Sequence, residues 1–266
     1  MMNNGNEISH HTKLYGFIGE EAGQSSLSAT LNKKLKTANK DAMMIPMNIR
    51  EDDFYFTVAN MKKSHVNGAV LSNEYVESVV EILDQSSDTV NVSGMCDILI
   101  RDEQKLFGDV IFADILIDFL KENGVMKIAL IGVNHYAKAF VSKCPASLHL
   151  SYFNENLEEL MSFTQELNIE NADINRIADG MDIDLSSFDV VLDFSNLASL
   201  DMISKLSAIS IDMKQKKRFS SLKQRAIELD SKYLGFEDML GDITNGVFEF
   251  LKNKKHLDYD KSDMRF

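Results

Sequence analysis

The feature that most constrains this fold is residues 128–140, IALIGVNHYAKAF, where four apolar residues run into Gly132 and an amphipathic stretch follows. That pattern is a buried strand turning at glycine into a helix. A turn of this kind that holds a dinucleotide needs glycine where the chain bends, where backbone meets pyrophosphate, and where helix packs on strand. Here Gly132 stands alone, and Val133, Asn134, His135 and Tyr136 crowd the remaining positions. The segment predicts a nucleotide-binding type of domain whose cofactor chemistry is weakened or gone.

Strand-like and helix-like runs alternate on both sides of it. In the first half, 14–19, 42–49, 68–71 and 97–100 read as strands. Between them, 25–36 spaces Leu27, Leu31 and Leu35 one helical turn apart, 51–63 opens on acidic residues that suit a helix N-terminus, and 74–83 reads as a third helix. The charged run RDEQK (101–105) reads as a turn, and the apolar stripe of 111–120 as a helix that stops at Asn123-Gly124, a candidate hinge. In the second half, strands are expected at 127–131, 148–152, 190–193 and 208–211, and helices at 157–167, 221–229 and 238–251. Alternation of this kind implies mostly parallel sheets covered by helices, and therefore an α/β fold in two domains.

The chain has 266 residues, 44% of them hydrophobic, enough for two ordinary cores. Its formal net charge of -13 disfavours nucleic acid and anionic lipid. Cys96 and Cys144 are too few for a disulfide framework or a thiolate zinc site, and no metal site is expected. With no apolar signal core and no window near the ~18 apolar residues of a membrane helix, the expected compartment is the cytoplasm.

The order of elements then meets a resemblance. YGFIGEEAGQSSLSATLNKKL looks like the opening of shikimate dehydrogenases, matching at Gly19, Ser25 and Asn32; NGAVLSNEYVESVVEILD is similar to the family's G-F-N-V-T-x-P-x-K stretch. KLFGDVIFADILIDFL resembles its L-x-G-x-N-T-D-G segment, IGVNHYAKA stands where the family has G-A-G-G-A-A-R-A, and GFEDMLGDITNGVFEF resembles its closing helix through Met239, Leu240 and Phe248. The similarity spans about residues 14–251. It implies a substrate-type domain from 1–110 with 236–251, a Rossmann-like domain over 111–235, and a polar tail at 252–266. Members are monomers or dimers, so a monomer or weak homodimer follows.

The departures from the family matter more than the matches. The resemblance puts the family's catalytic lysine on Val76 and its aspartate on Phe112, with Asp109 and Asp114 as weak substitutes. No lysine occurs between Lys63 and Lys105, so gaps in the alignment cannot restore it. Positioned acid–base help of this sort is worth roughly 10²–10⁴ in rate. Leu27, Cys96 and Ile243 stand at further polar pocket positions, leaving Ser25, Asn32 and Ser72 as substrate-binding remnants. A buried hydroxyl left unpaired costs about 1–3 kcal/mol, so shikimate does not suit these walls. On the cofactor side, Gly132 remains and Glu155 replaces the arginine of the family's 2′-phosphate clamp. An acidic residue there would hold ribose hydroxyls, so NAD is favoured over NADP if any dinucleotide binds.

Each residue also has a plainer reading. Glu155 reads as a first-turn acid of the helix at 157–167, Ser25 as a helix cap, His135 as a surface histidine, and Cys96 as an inert buried thiol. His10-His11 belongs to a disordered start, the methionines to packing, and Asp182 and Asp184 to a loop without a calcium pattern. Two functions follow: a shikimate dehydrogenase-like protein, degenerate for shikimate, that binds a small molecule or assembles; or an active NAD(P)-dependent oxidoreductase on a less polar hydroxy or keto compound.

Overall fold

The computed structural model describes residues 11–214 and 218–252. Among these, 11–111 with 243–252 form one compact unit and 112–242 the other. The polar tail beyond Lys252 and residues 1–10, including His10, lie outside the described residues.

The first unit runs β1 (Lys13–Gly19), α1 (Leu27–Thr37), β2 (Ala42–Asn48), α2 (Glu51–Met61), β3 (Val66–Leu71), β4 (Gln85–Ser86), α3 (Asp88–Ser93), β5 (Ile98–Asp102) and β6 (Lys105–Asp109). Its six-stranded sheet has the order β2-β1-β3-β5-β6-β4. β1, β2 and β3 are parallel, whereas β5 runs antiparallel to both β3 and β6. The expected charged turn is therefore the tip of a hairpin: Asp102 pairs with Lys105, and Glu103 takes φ 50 between them.

The expected helix at 74–83 does not form. The segment folds as successive turns with a short 3-10 piece at Val80–Ile82. Tyr75, Val76, Val79 and Ile82 are all buried, and two tertiary bonds hold the chain: Tyr75 gives its hydroxyl to the Ile49 carbonyl at 2.6 Å, and Cys96 N–H donates to the Val76 carbonyl at 2.8 Å. These contacts override the helical periodicity.

The second unit comprises α4 (Phe112–Glu122), β7 (Lys127–Ile131), α5 (His135–Lys143), β8 (His149–Asn154), α6 (Leu157–Glu166), β9 (Asp173–Arg176), β10 (Ile183–Asp184), β11 (Val190–Asp193), β12 (Ile203–Lys205), β13 (Ile209–Ile211), α7 (Ser221–Glu228) and β14 (Lys232–Leu234). A closing helix α8 (Leu240–Lys252) starts here and belongs to the first unit from Ile243 onward. Its main sheet is six parallel strands in the order β14-β13-β11-β7-β8-β9, beside a small β10-β12 pair. β7 sits between β11 and β8, so its carboxyl end opens at the middle of the sheet. Ala129, Ile131, Val191 and Phe153 pack one face against Leu200, Ile203, Leu222 and Ala226. Gly124, at φ 68, does end α4, but the division between units falls before Phe112 rather than at Asn123-Gly124. The return falls at Ile243 rather than 236, because Gly235–Leu240 is tied to the second unit: Phe236 N–H donates to the Lys214 carbonyl at 3.3 Å.

Candidate functional site

In the second unit the central turn is built by close backbone approach. Gly132 is buried at φ 88, and a Cβ there would lie 2.6 Å from the Ser195 nitrogen and 2.9 Å from the Phe194 carbonyl carbon. An L side chain would be strained in that conformation and would collide with backbone. Asn134 follows as the N-cap of α5: its side-chain oxygen accepts from Ala137 N–H at 3.1 Å, and its amide donates to the Phe194 carbonyl at 2.6 Å. The turn after β7 is thus bound to the chain leaving β11.

Aromatic rings pack around Phe194, whose carbonyl accepts from the Asn134 amide. Phe112, buried at the start of α4, meets Tyr136 edge-on at 5.1 Å and Phe194 edge-on at 5.8 Å, and Phe140 lies 6.1 Å from Phe194. A dinucleotide turn leaves space beside its glycine for pyrophosphate, with helix N–H groups aimed into it. Here the capping amide takes one of those donors, and the rings of Phe112 and Tyr136 pack beside the turn.

Glu155 is exposed between β8 and Asn156. It is not a first-turn acid: Asn156 is the N-cap, accepting from Glu158 and Glu159 N–H, and those two residues are the acidic first turn. Asp114 is exposed and pairs with Lys143 at 2.6 Å. Asp109 accepts from the Ser87 hydroxyl at 2.6 Å and from Val110 N–H at 2.7 Å, bracing the start of α3. Both aspartates therefore have local bonding roles.

Beside β11 lies a feature the sequence did not signal. Asp193, 2% exposed, ends that strand; one carboxylate oxygen accepts from the Ser195 N–H and hydroxyl, while the other has no hydrogen-bond partner. Burial pushes its carboxyl up to about 6, against the pull of the Ser195 hydroxyl and Lys214. Asp212, fully buried at the end of neighbouring β13, accepts instead from Tyr233, Ser220 and Lys214 N–H.

In the first unit, the carboxyl ends of β1, β2 and β3 gather the polar remnants. Ser72 donates its hydroxyl to Glu74 at 2.6 Å, and the other Glu74 oxygen accepts from Glu20 N–H at 2.9 Å. Asn48 accepts from Gly23 N–H at 2.8 Å. Ser25 accepts from Leu27 N–H at 3.2 Å, so its hydroxyl braces the start of α1 even though Ser26 holds the N-cap position. The Asn32 amide is engaged on both sides with Met44, donating to its carbonyl and accepting its N–H. Glu74 was hidden from sequence reading because an acid inside a helix-like run looks like a solvated face. Glu20, Glu74 and Glu51 make this end negative, and together with burial they push the Tyr75 hydroxyl up to about 12.

Leu27, Val76, Cys96, Phe112 and Ile243, which the resemblance aligns with polar family positions, are each buried. The Cys96 thiol is raised well above its ordinary value, chiefly by burial, consistent with an inert residue. His135 starts α5, partly exposed. Among the described residues, no group of three or more histidine, cysteine, aspartate or glutamate side chains could hold a metal, and no helix is long and apolar enough to cross a membrane.

A parallel sheet with a strand–glycine–helix turn at its centre, linked to a second α/β unit, is a two-unit α/β architecture with a Rossmann-type sheet. In sequence and in fold the chain is similar to the shikimate dehydrogenases. It is 29% identical over 102 residues to the NADP(+) shikimate dehydrogenase of Dictyoglomus turgidum, covering 38% of this chain and 37% of that one. The corresponding enzyme of Carboxydothermus hydrogenoformans is 25% identical over 136 residues, covering 50% of this chain and 49% of that one. The matched stretches span half or less of these curated relatives. Among solved structures, the shikimate 5-dehydrogenase of Listeria monocytogenes, in complex with shikimate and NAD, superposes with TM-score 0.69 at 17% identity, covering 93% of this chain and 94% of that one. The ligand-free 5-ketofructose reductase of a Gluconobacter species gives TM-score 0.70 at 16% identity, covering 92% and 95%. No protein-family model matches the chain.

Proposed function

We propose that this is a shikimate dehydrogenase-like protein that does not oxidise shikimate and has kept the two-unit frame as a small-molecule-binding or assembly protein. The observation that carries this reading is Phe112, held edge-on by Tyr136 and Phe194 where the family resemblance calls for a catalytic aspartate. Val76, in the lysine's place, is buried core. Neither residue can move a proton. The carboxylate of Glu74 at the ends of β1 and β3, with Glu20 and Glu51 near it, also opposes a ligand that itself carries a carboxylate.

A second reading is favoured by that same Glu74. A carboxylate that already accepts a serine hydroxyl suits an uncharged, less polar hydroxy or keto compound, and the fold similarity extends to a reductase named for 5-ketofructose. In this reading the chain is an NAD(P)-dependent oxidoreductase on an uncharged hydroxy or keto substrate. Any dinucleotide bound would be NAD, since the exposed Glu155 after β8 would repel a 2′-phosphate. In either case the protein acts in the cytoplasm on a small molecule, without nucleic acid or membrane, as a monomer or weak homodimer.

Calorimetric titration with NADH, NADPH, shikimate and an uncharged cyclic ketone separates the readings. The first expects no heat of binding from either nicotinamide or from shikimate. Saturable NADH binding accompanied by ketone binding moves the assignment to the second; saturable shikimate binding contradicts both.

A further inference from the structure

The described residues of the second unit enclose a cavity of about 310 Å³, lined by Lys214, Arg218, Lys223, Tyr233, Gly235, Glu237 and Asp238. It lies at the carboxyl ends of the parallel strands β13 and β14, at one edge of the sheet. Two loops form its frame. Asp212 N–H donates to the Leu234 carbonyl at 3.3 Å and Phe236 N–H to the Lys214 carbonyl at 3.3 Å, so the segments leaving the two strands are bound together.

Its charge stands against that of the chain. Acidic residues outnumber Lys and Arg 41 to 28. Several lysines elsewhere are neutralised by close carboxylates, as in Lys62–Asp84, Lys138–Glu166, Lys143–Asp114 and Lys205–Asp184. Lys214 and Lys223 form no close ion pair with a described residue, although both are half-buried and share one cavity; Lys214 still acts at longer range on the buried Asp193 carboxylate. The Lys223 ammonium lies 5.7 Å from the centre of the Tyr233 ring, and the Tyr233 hydroxyl is committed to Asp212 at 2.6 Å, which fixes that ring. Of the two lining carboxylates, Asp238 already accepts from Gly235 N–H at 2.9 Å. Lys223 also stands in the first turn of α7, whose N-terminal dipole adds to the positive field.

We infer that this cavity is a binding site for a small organic oxyanion, a phosphate ester or a carboxylate, held by Lys214 and Lys223. Lysine ammonium groups act as point charges toward such oxygens, and the volume exceeds that of a bare anion. Binding in this cavity does not require a dinucleotide at Gly132.

The test is calorimetric titration of the full chain with inorganic pyrophosphate and, separately, succinate, each against sodium chloride of matched ionic strength. K214Q and K223Q are then titrated, after circular dichroism confirms that both fold. Saturable binding of pyrophosphate alone assigns a phosphate ester and of succinate alone a carboxylate; binding of both supports the shared oxyanion chemistry. Each substitution should weaken binding about tenfold or more, as expected when a charged hydrogen-bond partner is removed. No binding beyond the chloride control, or binding unchanged in both variants, overturns the assignment.

Discussion

Gly132 and Ser195 approach so closely that a Cβ on the glycine would lie 2.6 Å from the serine nitrogen. The surviving glycine of the central turn thus has a reason to be glycine that involves no cofactor: two loops at the carboxyl ends of β7 and β11 meet backbone to backbone. Gly132→Ala should destabilise the protein by roughly 2–4 kcal/mol, combining the strain of positive φ with a backbone clash that flexible side chains cannot relieve. Urea unfolding measures this, and a change under about 0.5 kcal/mol, the range of ordinary surface substitutions, would show that the loops separate easily.

Asp193 makes stability depend on pH. An unfolded aspartate titrates near ~4, whereas burial pushes this carboxyl up to about 6 in the folded chain. Between those values the folded protein keeps a proton that the unfolded protein releases. The stability associated with neutral Asp193 is therefore complete below about pH 4 and is lost as pH rises through about 6. Asp193→Asn keeps the oxygen that accepts from Ser195 and removes the buried charge. It should stabilise the protein above pH 7 by on the order of 2 kcal/mol and flatten the dependence between roughly pH 4 and 6. An unchanged pH profile in the variant would place the titration elsewhere.

Asn32 joins α1 to edge strand β2 through both atoms of its amide. Asn32→Ala should cost about 2 kcal/mol, because Met44 loses a donor and an acceptor at a buried position. Thermal or urea unfolding reads this directly, and a variant as stable as the parent would return Asn32 to the role of a residue kept for a ligand.

Cys96 is fully buried, with its thiol raised well above the ordinary value, and Cys144 is pushed up to about 11. Since the thiolate is the reactive species, a disulfide-exchange reagent at pH 7 should label both slowly and reach Cys96 only on unfolding. Rapid labelling of Cys96 in the native protein would reveal an opening of the first unit.

Much of the fold was legible because its central strands are continuous apolar runs. β7 and β11 are buried along almost their whole length and announce themselves, as do the leucines of α1. Strands β4, β10, β12 and β14 have two or three residues, and β9, reading DINR, lies largely exposed; such segments carry no hydrophobic period. The turns at 74–79 were hidden for the opposite reason, since tertiary bonds to Ile49 and Cys96 defeat a genuine helical pattern. Of the site, the polar remnants could be found by resemblance, but their engagement could not. That Ser72 faces Glu74, that Asn32 is occupied by Met44, and that Asp193 is buried with one bare oxygen are facts of side-chain packing that no sequence period records.

The most direct test of the account is a steady-state assay of shikimate oxidation, following nicotinamide absorbance with NAD and with NADP over a wide range of enzyme concentration. The proposed loss of the acid–base pair predicts no rate above the enzyme-free control with either cofactor. Turnover proportional to enzyme, persisting after repurification, would contradict it and show that Val76 and Phe112 do not stand where the family's catalytic pair does.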